Sequence, residues 1–368
     1  MDRKRSREDW PELSPHSLKV SVARASDGIV SIVSHDVPAE MIGKITGYAE
    51  ILPPPKEFIF CGSGFIIECN TCSSSAKQST SSLRSRSRYL CTVLAPASLF
   101  KRPNDVPLNT IKIDVFGSTE VLYKAKLLAC DFHYNLALIT FKSRSQLQAL
   151  TFKAIDDVLS IDPFHRFQSR ELSAFQLQPH SNLFKVVLGT KIFCVWRHHD
   201  HPYDLYTASR FFSSSCPKEF GCNELYKIKS NDNKLSFDGG PALNASGEVI
   251  GVVFNKYSFL PSNIVLRWWS HYKSSGEFHR PFLGMEVLNL PDADLEFLAQ
   301  FITRFPNIST AVIVTKVEED SPAFCSGICT NDVIIRVDDK QVKSKLQFFE
   351  TIWEKAGKSV EFNVLKSN

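Results

Sequence analysis

No run of apolar residues in this chain reaches the roughly 20 that a helix needs to cross a bilayer. A helical membrane anchor is therefore not expected, and neither is a membrane partner. The opening residues Met1-Asp2-Arg3-Lys4-Arg5-Ser6-Arg7-Glu8-Asp9 lack the apolar core of a secretory signal. They also carry acids that a transit peptide usually avoids. The expectation is an intracellular protein, in the cytoplasm or the nucleus. A strong charge imbalance is missing as well: 43 Lys and Arg against 39 Asp and Glu leave a formal charge of +4. That surplus is too small to make nucleic acid the default partner. The basic cluster from Arg3 to Arg7 reads either as a nuclear import signal or as part of a solvated tail.

Histidine at zinc-finger spacing is also absent. Cys69-x-x-Cys72 and Cys325-x-x-x-Cys329 have metal-like local spacing, but neither has a His partner nearby. With no export signal, the ten cysteines are read as mostly reduced thiols. His198-His199-Asp200-His201 reads as an exposed polar loop. No metal and no cofactor is expected.

What is present is an ordinary globular composition, 43% hydrophobic and 22% charged, over 368 residues. That length suggests two or three compact units. Residues 1–17 read as a disordered basic tail. Residues 18–34 alternate apolar and polar and read as strand material. Residues 70–88 are Ser-rich, with Arg84, Arg86 and Arg88 spaced by two, and read as a surface loop. Short apolar segments with turn signals recur up to residue 272, which fits barrels or sandwiches better than βαβ units. Residues 273–280 are polar and read as a linker.

From residue 281 the pattern changes. A loop at Phe282-Leu283-Gly284-Met285 enters a strand. Leu295, Leu298, Ala299 and Ile302 recur at helical spacing. Ser321-Pro322 is an N-cap followed by proline at the first helical position. Strands are expected near 312–314, 332–338 and 360–365, with a further helix over 345–356.

The most informative stretch is Phe237-Asp238-Gly239-Gly240-Pro241-Ala242-Leu243, followed by Gly247-Glu248-Val249-Ile250-Gly251. Adjacent glycines allow φ > 0 and a close approach by another group. The stretch resembles the nucleophile loop of trypsin-like serine proteases of the HtrA/Deg (Do-like) family, where the pattern is Gly-Asn-Ser-Gly-Gly-Pro. Gly62-Ser63-Gly64-Phe65-Ile66-Ile67 is similar to a strand that precedes the family's catalytic His. Residues 281–368 resemble the family's PDZ domain. The resemblance implies a mostly β fold: a trypsin-like double β-barrel over 18–272, then a PDZ-like α+β domain. The architecture looks like that of plant Do-like homologues.

Carried across residue by residue, the catalytic positions are changed. The His position falls on Ser98 and the Asp position on Asn135. The nucleophile falls on Asp238, and the oxyanion-hole Gly two residues before it falls on Ser236. A serine protease needs a base, a carboxylate that orients it, a nucleophile and oxyanion donors. Ser98 is no base near neutral pH. Asn135 carries no charge to steady an imidazolium. Asp238 is a poor acyl acceptor whose charge opposes an oxyanion. The resemblance therefore implies a degenerate protease frame that binds peptides or unfolded protein, with Phe282, Leu283, Gly284 and Met285 as its carboxylate-binding loop. It also implies a homo-oligomer, a trimer by family habit, or mixed oligomers with active relatives. Two alternatives stay open: a working serine endopeptidase with catalytic groups elsewhere, and a nuclear or RNA-associated adaptor built on the Arg/Ser loop. His133, two residues before Asn135, shares its face if that segment is a strand, but reads more simply as a packing histidine.

Overall fold

The computed structural model describes residues 15–35, 59–72, 88–101, 111–118, 121–158, 183–197, 201–213, 222–229, 239–254, 257–278 and 280–366. Ser236, Asp238, most of the Ser/Arg loop and residues 198–200 of the His-rich segment lie outside these ranges. The first described element is not a strand. Residues Pro15–Ala25 form helix α1. Val22 and Ala25 are buried while Val20 is exposed, so the helical period overrides the apparent alternation. The helix also begins inside the segment read as a tail.

The first barrel closes in the order β1 (Ile29–His35), β2 (Ile59–Thr71), β3 (Tyr89–Pro96), β6 (Leu136–Ser143), β5 (Leu122–Asp131) and β4 (Lys112–Phe116). Its interior is filled by β-branched and aromatic side chains, among them Ile32, Ile66, Val93, Val115, Ile139 and Phe141. A short parallel pair, β7 (Ile155–Asp156) and β8 (Phe184–Lys185), follows.

The second barrel closes in the order β10 (Leu205–Ser213), β11 (Tyr226–Lys229), β14 (Ser258–Pro261), β13 (Val249–Phe254), β12 (Pro241–Leu243) and β9 (Lys191–Arg197). Buried Arg197 joins the two barrels. Its guanidinium donates to the carbonyls of Ile29, Ser26 and Tyr203, and its main chain is bonded on both sides to Ser63 Oγ at 2.9 Å. Helix α2 (Ser262–Ser275) ends in a left-handed Gly276 and runs into the stretch read as a linker.

The C-terminal unit is a five-stranded sheet. Strands β15 (Met285–Asn289), β16 (Val312–Val317), β17 (Val333–Val337) and β18 (Lys340–Gln341) run in that order, and β19 (Phe362–Leu365) pairs with β17. Helix α3 (Leu295–Arg304) is capped by Asp294, whose side chain accepts the Glu296 N–H. It buries Phe301, with Phe297 and Leu298 against the core. Leu295, expected on the apolar face, is 82% exposed. Helix α4 (Pro322–Cys325) has the expected Ser321 cap. Helix α5 (Lys345–Glu354) is covered on nearly every side, because the second barrel packs on the face that the sheet leaves free.

Candidate functional site

Strand β3 runs out through Pro96 into a short 3₁₀ turn at Ala97–Phe100. Ser98 sits on that turn. Asn135 ends a tight turn from Asp131, whose Oδ1 accepts the His133 N–H at 2.9 Å and whose Oδ2 accepts the Trp268 indole N–H at 2.9 Å. Asn135 has φ +52°, a left-handed conformation that Asn tolerates better than most side chains. The two positions meet. Asn135 Oδ1 accepts the Ser98 N–H at 2.7 Å, and the Asn135 carbonyl accepts the Ala97 N–H at 3.0 Å. The Asn135 side chain is buried and satisfies the backbone of the neighbouring turn.

The Gly-Gly turn closes on the same place. Gly239 bridges to Ser63 and lies against Pro96; a Cβ there would stand 2.2 Å from the Ser63 carbonyl and 2.4 Å from Pro96 Cγ. Gly239 and Gly240 have φ +77° and +96°. Left-handed backbone and close approach together leave no room for a side chain. The structure thus brings Ser98, Asn135 and the residue after Asp238 to one locus.

His133 is turned elsewhere. Its Nε2 lies 3.9 Å from Glu224 Oε2, and its ring packs edge-on to Tyr134. Glu224 is buried and well supplied with donors. Its Oε1 accepts the Tyr134 hydroxyl at 2.7 Å, and its Oε2 accepts the Cys222 thiol at 3.3 Å. Burial opposes the charge on Glu224, but hydrogen bonds from His133 and Tyr134 outweigh it and hold the carboxyl below its ordinary range. Burial, then Glu224, pushes the Tyr134 hydroxyl and the Cys222 thiol well up. Trp353 of α5 donates its indole N–H to the Tyr134 oxygen at 3.1 Å, so the cluster pins the C-terminal unit to both barrels. His133, Cys222 and Glu224 form the one group among the described residues whose donor atoms could jointly hold a metal. Within the group, Cys222 donates to Glu224 and His133 stands 3.9 Å from the same carboxylate.

In the C-terminal unit, Gly284 has φ +71°, and a Cβ there would strike Ser321 Cβ at 2.1 Å. Its carbonyl accepts the Glu318 N–H at 2.8 Å, next to β16. Alternation along the strand then turns the Met285 carbonyl to the outer edge of β15. Asn223 Nδ2, from the second barrel, bonds that carbonyl at 3.1 Å. Lys345, at the start of α5, reaches the Leu225 carbonyl at 3.1 Å. Among the described residues, the N–H groups of Phe282, Leu283 and Gly284 meet no acceptor.

The PDZ domain family matches residues 281–368. Serine protease HTRA4 of Homo sapiens is 33% identical over 249 residues, covering 62% of this chain and 45% of that protein. Serine protease Do-like HtrB of Bacillus subtilis (strain 168) is 29% identical over 140 residues, covering 35% of this chain and 31% of that protein. The chain is similar to HtrA/Do-like serine proteases and carries a PDZ domain at its C-terminus. It spans less than half the length of these curated relatives. The solved structure "HtrA-type protease AlgW with decapeptide" aligns over 95% of this chain and 94% of its own, with 14% identity and a TM-score of 0.49. In this chain the Tyr134, Cys222, Glu224 and Trp353 cluster was not legible in the sequence. Its members are scattered over more than 200 positions and carry no shared motif.

Proposed function

We propose that this chain is a pseudoprotease of the HtrA/Deg family that binds polypeptide C-termini or unfolded protein through its PDZ domain. The observation that supports it most is the bond from the Ser98 N–H to Asn135 Oδ1. In a working triad, the equivalent carboxylate orients an imidazole. Here the side chain caps a turn that carries serine, and His133 is engaged by Glu224. With Asp238 and Ser236 at the nucleophile and oxyanion positions, neither attack nor oxyanion stabilisation has a supplier. Loss of triad members acting as a unit costs on the order of 10⁶ in kcat.

The peptide-binding reading rests on the turn before β15. Its N–H groups at Phe282, Leu283 and Gly284 are suited to a terminal carboxylate, and the outer edge of β15 can accept an added strand. Binding there must displace the Asn223 side chain from Met285. Assembly into homo-oligomers, or into mixed oligomers with active relatives, belongs to the same reading.

A fluorophosphonate probe separates this proposal from the endopeptidase alternative. With an active HtrA protease labelled in parallel, the expected result is no adduct on this chain. A stoichiometric adduct on any serine would establish a working nucleophile and overturn the pseudoprotease assignment.

A further inference from the structure

Cys69 on β2 and Cys91 on β3 are directly opposed partners in an antiparallel pair. Directly opposed residues have Cα atoms about 4.5–5.5 Å apart, inside the roughly 4.4–6.8 Å that a disulfide spans. The two sulfurs lie 2.7 Å apart. That is well inside the roughly 3.5–4.0 Å of ordinary contacts between smaller carbon atoms. A further approach of roughly 0.7 Å reaches bonding distance.

We propose that Cys69 and Cys91 are a thiol–disulfide modification site, oxidised by a low-molecular-weight disulfide of the glutathione type. The two thiols are unequal. Cys69 is half-buried, and the Leu147 N–H donates to its sulfur at 3.4 Å. Cys91 is fully buried. That burial keeps it from reagents in solution and, with Cys69 beside it, pushes the thiol far up. Cys69 reacts first: its thiolate attacks one sulfur of oxidised glutathione, forms a mixed disulfide and releases one glutathione thiolate. Cys91 then gives up its proton and attacks the Cys69 sulfur, forming the intrachain bond and expelling the second glutathione. Two protein thiols are oxidised, and one glutathione disulfide is reduced to two thiols.

Cys72 is the rival partner. It is exposed and three residues beyond Cys69, at the end of an extended strand. Odd spacing in a strand points the two side chains to opposite faces, which favours Cys91. The new bond would tie β2 to β3 next to the Ser/Arg-rich stretch of residues 70–88, and would stiffen the strand that leads to Ser98.

The test uses the full chain incubated with oxidised glutathione, alkylated, digested without reduction and read by mass spectrometry. The expected product is a linked peptide carrying Cys69 and Cys91, with exposed Cys325 and Cys329 as internal controls for simple glutathionylation. The unfolding midpoint should rise by several degrees on oxidation, fall back with dithiothreitol, and be unresponsive in Cys69→Ser. A Cys69–Cys72 linkage, a persistent glutathione adduct on Cys69, or a Cys69 still open to alkylation would each overturn the proposal. That readout comes from the native chain, so it does not depend on the folding of any variant.

Discussion

Asn135, proposed to stand where the family has its catalytic carboxylate, does structural work. Its Oδ1 satisfies the Ser98 N–H, and its left-handed backbone turns the chain into β6. Asn135→Ala removes the acceptor and places a residue with a Cβ and no local hydrogen bond at positive φ. The expected loss is about 2–4 kcal/mol, from an unpaired N–H and left-handed strain together. Asn135→Asp keeps the acceptor but buries a carboxylate, so its loss should grow as the pH rises above the ordinary carboxylate range, whereas that of Asn135→Ala should not. Urea unfolding at several pH values distinguishes the two. That a serine at position 98 is no base near neutral pH follows from its residue type alone. What Asn135 does was not legible in the sequence. A side-chain-to-backbone bond between positions 98 and 135 leaves no periodic trace in the chain.

At the scale of elements, the docking of α5 on the barrels is set by Glu224, Tyr134 and Trp353. Glu224 has its carboxyl held below the ordinary 4.5 in the folded protein. A depressed carboxyl contributes stability that is fully present above that ordinary value. The contribution is lost as the pH falls through the folded value. Native protein should therefore lose more stability between about pH 5 and pH 3 than Glu224→Gln does, with both followed by urea unfolding; equal slopes would show that Glu224 contributes no such term. Asn223 makes a second contact of the same kind, on the edge carbonyl of Met285. Asn223→Ala should tighten binding of a hydrophobic peptide with a free C-terminal carboxylate by roughly 2- to 10-fold, the equivalent of one net hydrogen bond to be displaced. Fluorescence polarisation reads this directly, with the amidated peptide as the weak-binding control. The strands of both barrels, and the Ser321 cap of α4, follow from local rules of alternation, turn residues and N-caps. Helix α1 does not: residues 18–34 satisfy the strand period and the helix period at once, and only the burial of Val22 and Ala25 decides between them.

At the scale of the whole molecule, the chain is two closed six-stranded barrels followed by a PDZ domain. Two barrels are tied by Arg197 and Ser63, the Gly-Gly turn closes on Pro96, and a PDZ domain is locked to the body by an aromatic and acidic cluster. The likeness to HtrA/Do-like proteases was legible from short motifs, because the Gly-Gly-Pro turn and the Gly284 loop are positions where backbone geometry admits glycine alone. The relation between the domains was not, because contacts such as Tyr134 to Trp353 join distant parts of the chain through residues of ordinary type. Among the described residues, no helix is long and apolar enough to cross a membrane.

A protease fold without protease chemistry, as proposed, should leave protein substrates intact. The most direct test is degradation of casein by the purified chain beside a variant carrying Ser98→His, Asn135→Asp and Asp238→Ser. No cleavage by the native chain and a measurable gain in the repaired one are expected. Clear cleavage by the native chain that survives Asp238→Ala would contradict the proposal and place the nucleophile elsewhere.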